Sequence, residues 1–374
     1  MRGDLWEQFF AAAVILDENP VCRIYERKQV QNDIFRMFAH DLWKMHKRVN
    51  AVKEMIDTDE RFEPLRHMKD FLPRNKAICL RSKHSYDEVL LLASRFASAS
   101  SPNAMTVALG AFCEKRGIGK FALESAFTWN PISKSLVPVD DIDPQTFNSL
   151  IGYESQKAEL LANTESFLRG NPSNNVLLFG DSGTGKSSSI RALLNEPGFI
   201  GLGLRMIELR HDQFGDIPDI LQLIRGRNYR FILFMDDLSF EEFEVGYKHL
   251  KALIEGGLER KPDNTVIYAT SNRRKIVKEV WKDRATNSDD VHGRDTMEEK
   301  QSLADRFGLV ISYPSVNKND YLSIVKAISE EMGLTIEDSE MNTLAMRWEL
   351  GRAFTGRTAR QFVYHMLQQK TRLP

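Results

Sequence analysis

An α/β fold with a parallel sheet between helices is the architecture this 374-residue chain predicts, and three observations predict it. After residue 145, short apolar runs alternate with helical stretches. One of those runs leads through a glycine-rich loop straight into a helix. Before residue 140 the pattern is helical, with almost no strand signal. The chain therefore divides into a helical N-terminal region over 1–145, an α/β core over 146–313, and a small helical region over 314–374.

Composition sets the outer bounds. Hydrophobic residues make up 42% and charged residues 28%, the balance of a soluble globular protein. Lys and Arg total 51 against 52 Asp and Glu, a net charge of -1. Bulk charge therefore does not attach this chain to nucleic acid or anionic lipid, although a local basic patch stays open. Cys22, Cys79 and Cys113 lie far apart in sequence without ligand spacing, and read as reduced, buried thiols of a cytoplasmic protein. The apolar run Phe9–Leu16 is too short to span a bilayer, and its acidic flanks are wrong for a signal peptide. No membrane contact is expected. The histidines are scattered, so no transition-metal site is expected either.

In the N-terminal region, Ile34, Phe38, Leu42, Met45 and Val49 recur at helical spacing and predict one buried helix face. Ser85–Ser98 and Ala104–Cys113 predict two more helices, broken by the cluster Ser98–Pro102. Gly117-Ile-Gly-Lys120 lacks a full phosphate-binding motif and reads as a helix-ending turn. Pro131, Pro138 and the acidic run Asp140–Pro144 read as a linker. Five strands follow: Asn175–Phe179, Met206–Leu209, Phe231–Met235, Thr265–Thr270 and Leu309–Ser312. Their short, mostly apolar character suits a sheet buried on both faces. From Asn319 onward the pattern is helical again.

Gly180-Asp-Ser-Gly-Thr-Gly-Lys-Ser187 fits G-x-x-x-x-G-K-[ST] in full, between a strand and a helix as that motif requires. Gly180, Gly183 and Gly185 admit backbone angles and a close approach that a β-carbon forbids. The amides of Asp181, Ser182 and Thr184, with the helix start, then converge on phosphate oxygens. Lys186 adds a point charge for the β- and γ-phosphates, and the Ser187 hydroxyl is a ligand for Mg²⁺. Phe231–Met235 ends in Asp236 and Asp237. This run is expected to lie beside the phosphate-loop strand and to deliver its acids at the carboxyl edge of the sheet. Asp236 would hold Mg²⁺ through its water shell, and Asp237 would orient or deprotonate the attacking water. ATP and Mg²⁺ are the cofactors this pattern asks for.

With these motifs in order, the sequence resembles the AAA+ ATPases over roughly residues 146–374. Thr265–Asn272 resembles the sensor-1 strand, which implies that Asn272 positions the hydrolytic water. Ser302–Gly308 resembles the arginine-finger segment, which implies that Arg306 reaches the nucleotide of a neighbouring subunit, with Arg294 and Arg284 as weaker matches. Gly356–Phe362 resembles sensor 2 at the start of a lid helix, with Arg360 in the matching place. Leu150-Ile-Gly-Tyr153 resembles the segment that packs against adenine, which brings in Ile151 and Gly152. The pieces Asp236–Glu241, Tyr268–Arg274 and Glu299–Gly308 look most like a bacterial ATP-binding family catalogued as a domain of unknown function.

The resemblance implies an ATPase that assembles as a homo-oligomeric ring, with a hexamer as the expected size. Its partner, protein or DNA, is not named by any motif. One departure stands out. Most of the superfamily ends this strand in Asp-Glu, whereas this chain has Asp236-Asp237, similar to the replication-initiator and helicase-loader branch. Slow turnover follows as an expectation; Glu241 and Glu242 read first as a solvated turn, with help to Asp237 as the alternative. The competing reading is an ATP-bound scaffold with little turnover. A P-loop kinase is disfavoured by Asn272 and the helical lid.

Overall fold

The computed structural model describes residues 5–26, 32–66, 83–139, 141–238, 254, 261–272, 306–349 and 353–372. Cys79, Arg284, Arg294, Glu241, Glu242 and the polar stretch 282–299 lie outside them.

The N-terminal helices are α1 (Leu5–Leu16), α2 (Pro20–Glu26), α3 (Asn32–Thr58), α4 (Glu63–Arg66), α5 (Lys83–Ala97), α6 (Pro102–Arg116) and α7 (Lys120–Leu123). Helix α6 shows why its ends fall where they do. The Ser101 hydroxyl accepts from the Ala104 amide at 3.2 Å, and Pro102 supplies a first residue that needs no amide donor. At the far end Gly117 takes a left-handed φ of 74° and donates to Cys113 O at 2.7 Å. The Gly117–Lys120 segment is thus the helix-ending turn the sequence predicts.

Helix α3 is rolled relative to expectation. Leu42, His46 and Ile56 are buried, whereas Ile34 and Met45 are 44% and 52% exposed. The cause is Glu7 of α1, a buried carboxylate that needs donors. His46 Nε2 meets it at 3.0 Å and Lys53 Nζ approaches to 3.9 Å, so the polar His46 faces inward and Met45 turns away.

The core begins with β1 (Ala126–Asn130) and β2 (Ser135–Pro138), followed by α8 (Glu154–Leu168), β3 (Val176–Gly180), α9 (Lys186–Ala192), β4 (Leu204–Leu209), α10 (Ile217–Ile224), β5 (Arg230–Met235), β6 (Thr265–Ser271) and β7 (Leu309–Tyr313). Helices α11 (Lys318–Glu331), α12 (Asp338–Glu349) and α13 (Gly356–Arg372) complete the chain. The sheet order is β2-β1-β4-β5-β6-β3-β7, with only β2 antiparallel to its neighbour. Alternate residues serve opposite faces. Phe231 and Leu233 pack with α10, while Ile232 and Phe234 pack with Leu160 of α8 and Ile190 of α9.

All five expected strands are present, and among the described residues the sheet has seven. The additional pair spans the end of the region read as helical, which gives β1, and the start of the stretch read as a linker, which gives β2. Pro131 sits in the turn between β1 and β2, where Asn130 Oδ1 accepts from the Ile132 and Ser133 amides, and Pro138 closes β2. Phe127 and Trp129 are buried by this extension. A second correction concerns neighbours. The strand ending in Asp236 is not beside the phosphate-loop strand, because β6 runs between β5 and β3. Burial on both faces makes the strands nearly interchangeable in sequence, so pairing was not legible there.

At the amino edge of the sheet the helical bundle is fastened to the core through Arg227. Its guanidinium donates to Glu26 Oε1 at 3.0 Å, Glu18 Oε2 at 2.9 Å and Ile118 O at 2.9 Å, and lies 4.9 Å from the Phe121 ring centroid. The Tyr229 hydroxyl donates to Arg116 O at 2.5 Å. Among the described residues no helix is long and apolar enough to cross a membrane.

Candidate functional site

The glycine-rich loop joins β3 to α9, and its backbone takes the angles its glycines allow. Gly180 has φ 146°, and a β-carbon there would stand 2.0 Å from Tyr313 O of the adjacent β7. Gly183 has φ 80°, and a β-carbon there would press Thr355 Cβ at 2.9 Å, just ahead of α13. The loop is braced from within by Thr184 Oγ1, which donates to Asp181 O at 2.9 Å. It is also tied to the C-terminal helices, since Gly356 N donates to Gly183 O at 3.1 Å and Ser315 Oγ to Asp181 Oδ2 at 2.5 Å. Ser182 lies at the exposed tip.

Lys186 is buried and lies back across the loop, donating to Gly180 O at 2.9 Å and Asp181 O at 2.7 Å. Burial lowers its pKa from the usual lysine range, against the pull of Asp237, Asp181 and Asp236. Two backbone carbonyls hold an ammonium that has no direct carboxylate partner among the described residues. An arriving phosphate oxygen is the stronger acceptor for it.

Asp236 and Asp237 emerge at the carboxyl edge as expected, and β6 contributes more than spacing. Asp236 Oδ1 accepts from Ser187 Oγ at 2.5 Å and from Thr270 Oγ1 at 2.7 Å, while its Oδ2 accepts from Arg191 Nη2 at 3.0 Å. The Asp237 amide donates to Thr270 Oγ1 at 2.9 Å, and Asn272 Nδ2 donates to Asp237 Oδ1 at 2.6 Å. Asp237 holds a left-handed φ of 55°, an unfavourable angle for a residue with a side chain, kept by the flanking Leu238 N to Thr270 O bond at 2.7 Å. Ser187 and Asp236 present hard oxygen donors within bonding distance of each other, which fits Mg²⁺ completed by phosphate and water.

Thr270, Arg191 and Glu208 were missed by sequence reasoning. Thr270 lies two residues before Asn272, near the end of β6, and was legible as its companion. Arg191 and Glu208, joined at 2.9 Å, come from separate elements, and only the fold brings them to Asp236. Burial works against the Arg191 charge, but Glu208 and Asp236 outweigh it and hold its pKa above the usual value.

Beside the loop lies a cavity of about 320 Å³. Leu150, Ile151 and Gly152 line one side, Gly183–Gly185 the floor, and Arg357 and Arg360 the far wall. Gly152 at φ 80° and Tyr153 at φ 62° turn the chain into α8. The Tyr153 hydroxyl donates to Pro314 O at 2.7 Å and fixes that wall to the end of β7. Ile151, Gly152 and Arg360 thus converge with the phosphate loop. Arg306 does not. It is exposed three residues before β7, at the amino edge of a strand parallel to β3, whereas the loop leaves the carboxyl edge.

Residues 122–370 match the family described as Protein of unknown function (DUF815). Solved structures with a similar chain include the RuvB Holliday junction branch migration motor of Thermotoga maritima, at 19% identity and a TM-score of 0.43. A point variant of that motor gives 20% and 0.44. In both cases the match covers 62% of this chain and 66% of that one, so the chain spans about two thirds of the length of the structures it matches. No curated protein matches the chain.

Proposed function

We propose that this chain, which belongs to the DUF815 family, is an AAA+ ATPase that couples ATP–Mg²⁺ binding and hydrolysis to assembly or remodelling of a partner in the cytoplasm. One observation carries the reading. Asp236, just after β5, bonds the hydroxyl that follows Lys186 directly, and Thr270 of β6 links Asp237 to the same carboxylate. Phosphate loop, metal-holding acid and water-orienting acid therefore form one bonded unit.

In this reading the amides of Asp181–Lys186 cradle the triphosphate, and Lys186 leaves its two carbonyls for the β- and γ-phosphate oxygens. Ser187 and Asp236 would hold Mg²⁺, which would supply positive charge against the phosphate oxygens. Asp237 orients the attacking water and accepts its proton, and Asn272 fixes the carboxylate oxygen that does so. The water oxygen bonds to the γ-phosphorus as the bond to ADP breaks. Ile151 and Gly152 take the adenine, and Arg360 takes the γ-phosphate from the lid side. Arg306, at the opposite edge of the sheet from its own loop, serves the nucleotide of a neighbouring copy, which calls for a ring of expected hexameric size. A finger of this kind is worth about 10³–10⁵ in rate.

Calorimetry tests the premise: ATP binds wild type, and Lys186→Ala weakens it about 100-fold. Undiminished uptake overturns the reading. Phosphate release measured across protein concentration then tests the ring. A rate per chain that rises with concentration, and collapses in Arg306→Ala and Asp237→Asn, supports it. Strict linearity with a monomer in ATP by light scattering overturns it. A second reading, an ATP-bound scaffold with little turnover, draws on Asp237, whose short side chain is already engaged by Asn272 at 2.6 Å. ATP uptake without phosphate release at high protein concentration selects that reading.

A further inference from the structure

Arg191 has no part in the scheme above, yet it touches the residue on which that scheme turns. It lies one and a half turns beyond Lys186 on α9, and its guanidinium rests 5.3 Å from the Phe234 ring centroid. From there one nitrogen reaches both Glu208 Oε1 at 2.9 Å and Asp236 Oδ2 at 3.0 Å. The three side chains are each about one third exposed, so the group is neither sealed nor fully screened. The two carboxylates stand at the ends of adjacent strands, β4 and β5, and among the described residues they share a single cation. The other cation nearby is engaged elsewhere, with Lys186 Nζ on the loop carbonyls. Asp237 in turn is occupied by Asn272.

We infer that Arg191 is a resident counter-cation of the metal site, which keeps Asp236 and Glu208 from capturing a free divalent ion and so makes metal entry depend on nucleotide. The division of oxygens supports this. Arg191 takes Oδ2 of Asp236, and Oδ1 is left to Ser187 and Thr270, the side from which a metal ligated by Ser187 is approached. A lone cation arriving there meets a carboxylate whose charge Arg191 partly offsets, and a guanidinium of like charge. A cation arriving with a triphosphate brings its own negative charge, and the repulsion is offset. Arg191 is therefore a positioning and charge-setting residue that acts through Asp236. The inference rests on the proposed site and specifies how that site is regulated.

The test titrates Mn²⁺ into the full chain without nucleotide, following free Mn²⁺ by its paramagnetic resonance signal. The expected result is that Arg191→Gln takes up Mn²⁺ at least about tenfold more tightly than wild type, while Arg191→Lys, which keeps the charge, stays close to wild type. Glu208→Gln moves the other way, because the guanidinium is then left to Asp236 alone. A purely structural role for Arg191 predicts looser Mn²⁺ in Arg191→Gln. Unchanged or weaker uptake in that variant overturns the inference, as does Arg191→Lys binding as tightly as Arg191→Gln. Should Arg191→Gln fail to fold, the direction of Glu208→Gln decides. Failure of ATP to bind wild type in calorimetry would overturn the ATPase reading, whereas the Mn²⁺ titration reads Arg191 independently of it.

Discussion

The two edges of the sheet use the same ingredients for opposite ends. At the amino edge Arg227 meets Glu18 and Glu26, and at the carboxyl edge Arg191 meets Glu208 and Asp236. Arg227 is 8% exposed, Glu26 is 2% exposed, and a backbone carbonyl and an aromatic ring complete the guanidinium's surroundings. That arrangement is saturated and has nothing left to bind. Arg191 is 33% exposed and beside a loop held at left-handed angles, with Asp237 kept at φ 55°. An arginine between two carboxylates is a joint when buried and fully bonded. It is an adjustable site when water and a second cation can reach it.

The largest expected effect breaks the joint. Among the described residues, Arg227→Ala leaves Glu26 buried with only the Asn228 amide at 2.9 Å, and should cost about 3–5 kcal/mol in denaturant unfolding. The ATP affinity of the folded fraction should be unchanged. A parallel loss of ATP affinity would show that the two edges are not independent.

Thr270→Val acts at the other edge. It removes the hydroxyl that donates to Asp236 and accepts from the Asp237 amide. Phosphate release should fall about tenfold or more, with a stability loss of only about 1–3 kcal/mol. A stability loss without the rate loss would make Thr270 a packing residue alone.

The smallest effect separates the edges by pH. Lys261, just before β6 at the amino edge, is mostly buried on Asn175 Oδ1 at 2.8 Å, and burial lowers its pKa to about 8. Its folded value lies below its unfolded value, so the unfolded chain holds more protons between pH 8 and the usual lysine pKa. Its contribution to stability therefore rises with pH across that window. Lys261→Met should be about 1–2 kcal/mol more stable than wild type at pH 7, and the advantage should shrink above pH 8 in pH-resolved melts. A constant difference across pH would put the effect in packing instead.

The legible part of this molecule was the part whose chemistry is local. Gly180–Ser187 dictates strand, loop and helix within a few residues, because missing β-carbons and a run of amides act on adjacent backbone. The paired acids after an apolar run, and Asn272 after another, were legible for the same reason. Helix α6 declared both its ends through Ser101-Pro102 and Gly117. The failures have two sources, a local signal masked by its neighbours and partners distant along the chain. Phe127-Thr-Trp129 before Asn130-Pro131 was a usable strand-and-turn signal, but the nearby prolines and acidic run concealed it. The apolar spacing of α3 placed Met45 rather than His46 on the buried face, because the partner of His46, Glu7, lies 39 residues away.

Sequence alone determined that a glycine-rich loop between strand and helix, two acids and an α/β core are present, since each is written in neighbouring residues. Tertiary structure decided which strand lies between the loop and the acids, which buried carboxylate turns α3, and which arginine stands against Asp236. Those outcomes depend on burial and charge pairing between segments many residues apart, where any of several similar strands or cations satisfies the local pattern and only the assembled core selects one.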